Sequence, residues 1–222
     1  MATGKTAIVF GASGLVGSML VKELLINPAY SQVLIVTRKP LVIINPKIQE
    51  ITLGNYKSYN FSETNISDVH VFCCLGTTIK KAGTKDEFKK VDYELPLEVG
   101  NWAISKDIQT FVVISSIGAN PDTKNFYLKT KGELEEALKL LGFDHLYILR
   151  PSLLLGERNE FRLGEEIAKM FSGVLNLTLR GSFKKYKPIS AVKVAKAMVF
   201  LANSDNKDII FESDKLEMLS TH

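Results

Sequence analysis

Gly11-Ala12-Ser13-Gly14-Leu15-Val16-Gly17 stands between an apolar run, Thr6–Phe10 (TAIVF), and a stretch of helical periodicity, Leu15–Ile26. A G-x-x-G-x-x-G pattern alone says little. Placed where a buried strand hands over to a helix, it reads as the turn of a first βαβ unit. In such a turn Gly11 permits the tight reversal, Gly14 lets the backbone approach a pyrophosphate, and Gly17 lets helix and strand pack closely. The free N–H groups and the positive end of the helix are then available to phosphate.

The rest of the chain continues the alternation. Further strands are expected at Gln32–Thr37, Ile48–Thr52, Val69–Cys74, Thr110–Ser115 and His145–Leu149, with a last short one at Asp208–Glu212. Between them, helical patterns occupy Lys85–Lys106, with a break near Pro96, then Tyr127–Leu141 and Ser190–Asn203. This rhythm predicts an α/β chain with a doubly wound parallel sheet and helices on both faces. The segment 156–187 departs from it, with a helix expected over Gly164–Phe171 and a basic stretch, RGSFKKYK. No linker separates it, so it reads as a substrate-side insertion in a single domain spanning 1–222, with a small C-terminal region.

Composition narrows the function. The chain has 222 residues, 45% hydrophobic and 23% charged, with a formal net charge of +4. That excludes disorder and coiled coil, and the mild charge gives no footprint for nucleic acid. Cys73 and Cys74 are adjacent and the histidines scattered, so neither a disulfide framework nor a metal site is expected. No apolar run approaches a membrane span of ~20 residues, and the first is too short for a signal peptide. The expectation is a cytosolic protein whose mature chain starts near Met1, a monomer or homodimer without integral membrane contact.

Two constellations carry chemistry. The second strand ends in Thr37-Arg38-Lys39, where an NAD site would place a carboxylate for the ribose 2′-hydroxyl. Two cations there suit a 2′-phosphate instead, so NADPH is favoured over NADH. The second constellation is Tyr127-x-x-x-Lys131, a spacing that puts both side chains on one face of the helix they open. The preceding strand ends in Ser115-Ser116, and strand ends of this kind form the crevice of a doubly wound sheet. Hydride transfer to a carbonyl leaves an alkoxide that needs a proton. A phenol titrating near 10 is brought into range by a nearby ammonium, and a serine hydroxyl can bond the developing oxyanion. Ser115 is the first choice for that serine, with Ser116 in reserve.

These motifs, together with Cys73-Cys74-Leu75-Gly76-Thr77-Thr78, Lys81-Ala82-Gly83, Val91-Asp92, Gly118-Ala119, Gly132-Glu133, Arg150-Pro151 and Arg158-x-Glu160-x-Arg162-x-Gly164-Glu165, make the chain resemble a known family. It is similar to the short-chain dehydrogenase/reductase superfamily, in the atypical NAD(P)-binding branch of Tat-interacting-protein-type oxidoreductases. The resemblance implies a Rossmann fold that binds NADPH. It implies cofactor contacts from Ser13, Gly14, Leu15 and Val16, from Arg38 and Lys39 to the 2′-phosphate, and from Leu75, Gly76, Leu154 and Arg162. Tyr127 and Lys131 would approach the nicotinamide ribose, with Tyr127 as general acid/base. The chain departs from many members in having Cys-Cys-Leu-Gly where they have Asn-Asn-Ala-Gly. Some 70 residues follow Pro151, which leaves little room for the substrate domain of a sugar-nucleotide epimerase. The expected function is an oxidoreductase acting on a small carbonyl or alcohol, the rival being an NADPH-sensing protein without turnover.

Overall fold

The structure, a computed structural model, describes residues 4–61, 66–156 and 181–221. It opens on β1 (Lys5–Phe10), the glycine turn and α1 (Leu15–Ile26), followed by β2 (Tyr30–Thr37), β3 (Ile48–Thr52) and β4 (Val69–Cys73). Two short helices, α2 (Ile79–Ala82) and α3 (Lys85–Lys89), lead through a π turn (Lys90–Glu94) into α4 (Leu95–Ser105). Then come β5 (Thr110–Ile114), α5 (Phe126–Lys139), β6 (His145–Arg150) and β7 (Leu154–Leu155). The chain closes with β8 (Ile189–Ser190), α6 (Ala191–Ala202), β9 (Ile210–Glu212) and α7 (Ser213–Leu219).

Seven strands form one sheet in the order β3-β2-β1-β4-β5-β6-β9, and every pairing in it is parallel. The order reverses direction between β1 and β4, which opens a crevice at their carboxyl ends. This is the doubly wound sheet that the alternation predicts. Strands β1, β2, β4, β5 and β6 are buried on both faces, which explains why they read as largely apolar runs rather than as alternating ones. Ala7, Val9, Val33, Ile35, Phe72 and Val112 face one core with Leu20 and Leu24 of α1 and Val194 and Met198 of α6. Their neighbours Ile8, Phe10, Leu34, Val71, Phe111 and Val113 face the other, with Val99 and Trp102 of α4 and Leu134 and Leu138 of α5.

Three differences from the expected elements have physical causes. The break in the Lys85–Lys106 helix falls one turn before Pro96, as the π turn over Lys90–Glu94. A proline at 96 cannot bond the carbonyl four residues back, and a widened turn there accommodates it. β7 and β8 form a separate two-stranded parallel pair, Leu154 opposite Ile189, too short to leave a periodic signal. α7 is likewise a brief helix, packed through the buried Leu216. The helix expected over Gly164–Phe171 lies outside the described residues.

Candidate functional site

The first turn meets the fourth strand at very close range. Gly11 adopts φ +81°, and a Cβ on it would lie 2.5 Å from the Cys74 carbonyl oxygen. A Cβ on Gly17 would lie 2.2 Å from the Gly11 carbonyl oxygen. Gly11 is therefore required by conformation and by packing, and Gly17 by packing alone. Gly14 is the N-cap of α1 and supplies no side-chain cap, and the first turn of the helix carries no acidic residue. The leading N–H groups of a twelve-residue helix are left facing the crevice, the chemistry that receives an anion.

A cleft of about 580 Å³ runs from this turn along the carboxyl ends of the sheet. Gly11, Ser13, Gly14, Leu15, Val16 and Arg38 line one end, and Leu75, Gly76 and Thr77 its floor. Ser115, Ser116, Tyr127, Lys131 and Leu154 line the remainder. One cavity thus gathers most of the residues singled out from the sequence. Lys39 is exposed beside Arg38 and is not among the lining residues, and Gly17 is buried in the helix behind the turn. Arg162 lies outside the described residues.

α5 positions the reacting pair. Asn125 caps it by accepting the Leu128 N–H, and Gly132 lets it lie against the Asn120–Pro121 backbone, where a Cβ would come within 2.3 Å of the Pro121 nitrogen. The Tyr127 ring packs against Phe88 with centroids 5.6 Å apart. Burial raises the pKa of its phenol, and Asp92 adds to the rise. Lys131 and a hydrogen bond with Ser116 pull the other way without reversing it. Lys131 does pull the phenol down, as expected, but burial outweighs that pull and the net direction is upward. Its ammonium, itself buried, lies 2.7 Å from Asp92 Oδ1. Burial works against that charge, but the Asp92 carboxylate outweighs it and the Lys131 pKa is raised.

The two serines are used differently. Ser115 Oγ donates to Glu135 Oε1, and the same carboxylate accepts from Arg150 Nε at 3.0 and 3.1 Å. Ser116 Oγ donates to the Ile117 carbonyl at 3.4 Å, and stands near enough to Tyr127 for its hydroxyl to lower the phenol pKa. The geometry thus puts Ser116, the reserve choice, beside the phenol, and ties Ser115 to an ion pair behind it. Burial raises the thiol pKa of Cys74, which also lines the cleft, well above the usual range. Among the described residues no group of three His, Cys, Asp or Glu could hold a metal, and no helix is long and apolar enough to cross a membrane.

Sequence reasoning assigned no role to Asp92, Glu135 or Arg150. A signal existed for Glu135: it follows Tyr127 and Lys131 at the same four-residue step, and so shares their inward helix face.

The sheet order, the glycine turn and the cleft define a doubly wound α/β protein with a Rossmann-type fold. Within it the chain belongs to the HIM1 family, whose model matches residues 41–186. It is 37% identical to the mitochondrial FMP52 protein of Candida albicans over 97% of this chain and 98% of that one. It is 32% identical to rat HTATIP2 over 88% of this chain and 80% of that one. Among solved structures it is similar to the human epimerase family protein SDR39U1 with NADPH (TM-score 0.60, 16% identity, 92% of this chain and 72% of that one). It is similar also to Bordetella bronchiseptica WbmH with NAD+ (TM-score 0.66, 15% identity, 94% and 75%). At that identity the likeness is one of fold.

The relatives correct the expected location. Those of Candida albicans, Debaryomyces hansenii and Saccharomyces cerevisiae are all named mitochondrial, which overturns the cytosolic assignment. Paired free cysteines and an ordinary composition fit any reducing compartment, so they had no power to separate the cytosol from a mitochondrial location.

Proposed function

We propose that the chain is an NADPH-dependent oxidoreductase that reduces a carbonyl group on a small molecule. The observation that carries this is the sharing of one cleft by the uncapped α1 N-terminus, Arg38, Ser116, Tyr127 and Lys131. The N–H groups of Leu15 and Val16 would hold the pyrophosphate, and Arg38 the 2′-phosphate through its planar fork. Lys131 would reach the nicotinamide ribose. NADPH, when bound, supplies the hydride that the carbonyl carbon accepts. Ser116 donates a hydrogen bond to the carbonyl oxygen as negative charge builds there. Tyr127 then gives that oxygen its hydroxyl proton, and the phenolate left behind is reprotonated from water. A phenol whose pKa is raised by burial is protonated at neutral pH, the form that can donate to the carbonyl oxygen.

The test is calorimetry with NADPH and NADH, followed by single-turnover hydride transfer across a panel of aldehydes and ketones for the parent and Tyr127→Phe. Tyr127→Phe is expected to bind NADPH like the parent and to transfer hydride ~10²–10⁴-fold more slowly. A fully active Tyr127→Phe would refute the mechanism. Tight NADPH binding without turnover of any carbonyl would leave a cofactor-sensing protein instead.

A further inference from the structure

We propose that Asp92 is the positioning residue of this site: its carboxylate bridges the Lys131 ammonium and the Thr77 amide, and so sets where the lysine charge stands relative to Tyr127. The role builds on the proposed chemistry of Tyr127 and Lys131. Asp92 is 1% exposed and Lys131 4%. Nζ of Lys131 lies 2.7 Å from Oδ1, while Oδ2 accepts the Thr77 N–H at 2.8 Å. A carboxylate so deeply buried is tolerable only when paired and bonded, and here each oxygen has a different partner. Those partners come from separate elements: Lys131 from α5, and Thr77 from the segment after β4 that floors the cleft.

The pair lines the cleft, although almost none of its surface is exposed. A Cβ on Gly76 would lie 3.3 Å from Asp92 Oδ1 and 3.8 Å from Lys131 Nζ, so nothing larger than a glycine stands over it. Asp92 lies in the π turn and points inward, while Lys90 and Glu94, two positions to either side, are exposed. The groups facing the pair are few. From α5 come Tyr127 and, one turn on, Glu135 bound to Arg150. From β4 comes Cys73, and from the end of β5 Ser115 and Ser116. Asp92 is thus the anion that opposes the pull of Lys131 on the phenol.

The test is an ultraviolet tyrosinate titration of the ligand-free protein. Each protein is compared with its own Tyr127→Phe derivative, so that the difference reports Tyr127 alone. In Asp92→Asn the amide oxygen can still accept from Thr77, the lysine charge is unopposed, and Tyr127 is expected to titrate at least about one pH unit lower than in the parent. A phenol that does not move, or moves upward, overturns the proposal, whatever the melting temperature does. In a Lys131→Met background the same Asp92→Asn change removes only the direct repulsion of the carboxylate, and should lower the phenol by less than half as much as it does in the parent. A shift there as large as in the parent would mean that Asp92 does not act through the lysine, and would equally overturn the proposal. The double variant leaves neither charge of the pair buried alone, so it can be read directly against the parent if a single variant fails to fold; with both opposing charges gone its phenol should lie within about one unit of the parent's, and a larger move overturns the proposal. Because no cofactor is present, failure here is separate from failure of NADPH to bind, which would sink the functional reading instead.

Discussion

Glu135 and Arg150 meet in a buried two-point ion pair, with Arg150 Nε 3.0 Å from one carboxylate oxygen and 3.1 Å from the other. Arg150 is the last residue of β6, and Glu135 lies on the inward face of α5. The pair therefore clamps the helix that carries Tyr127 and Lys131 to the carboxyl end of the sheet. Glu135→Gln would leave a buried guanidinium without its counter-charge. It is expected to lower stability by about 3–5 kcal/mol, read from urea denaturation. A loss below about 1 kcal/mol would reduce the pair to the standing of a surface ion pair.

Separate roles for the neighbouring serines lead to separate outcomes. Ser116→Ala removes the hydroxyl beside Tyr127, and is expected to slow hydride transfer ~10²–10³-fold with stability little changed. Ser115→Ala removes a donor to Glu135, and is expected to lower the unfolding free energy by about 1–3 kcal/mol while the rate falls less than in Ser116→Ala. Single-turnover rates and urea midpoints on both variants decide it; the reverse pattern would return the catalytic role to Ser115.

Arg38 lies exposed at the end of β2 and lines the cleft there. Charge-assisted bonds to a phosphate contribute about 1.5–3 kcal/mol. Arg38→Ala should therefore weaken NADPH binding by roughly ten- to a hundredfold and leave NADH almost unaffected. Lys39→Ala should do much less, since Lys39 stands outside the lining. Calorimetry with both cofactors measures the difference, and equal affinities in the parent would defeat the assignment.

His70 gives the protein an acid-sensitive element far from the cleft. Its ring is buried in β4 and bonded to the Tyr30 hydroxyl at 2.8 Å. Burial, helped by Lys5 and His145, pushes its pKa down to about 3. Unfolded, the same imidazole takes up a proton near 6.5. Between those values the unfolded state binds the extra proton. The contribution of His70 is thus complete above about pH 6.5 and falls away as the pH drops towards 3, by on the order of 5 kcal/mol in all. Urea midpoints measured from about pH 7 to pH 4 should decline, and His70→Gln should flatten that decline. An identical slope in the variant would place the acid sensitivity elsewhere.

Much of this architecture was legible in the sequence because strands buried on both faces leave unbroken apolar runs. Val33–Val36 and Val69–Cys73 could be nothing else at that length, and Gly11 and Gly17 marked the turn that joins the first strand to its helix. The site was legible where it depends on spacing along one element, as with Tyr127 and Lys131. It was not legible where it depends on two elements meeting. Asp92 and Lys131 are 39 positions apart, and no local pattern says that one ion-pairs with the other. Nor could the sequence decide between Ser115 and Ser116: the side on which each hydroxyl emerges depends on how the chain leaves β5, and the partner that claims Ser115 comes from α5.

The π turn at Lys90–Glu94 also makes the residue count of this stretch matter. Such a turn holds one residue more than the α-helical ladder would, so it offsets the two helical stretches by about a quarter of a revolution. That offset lets Phe88 and Asp92 point toward Tyr127 and Lys131 upstream, while Val99 and Trp102 point into the sheet downstream. Deleting a single residue here would restore an ordinary helix and turn one set of side chains away from its partners. An uninterrupted helix of the same composition could satisfy the core or the cleft, but not both.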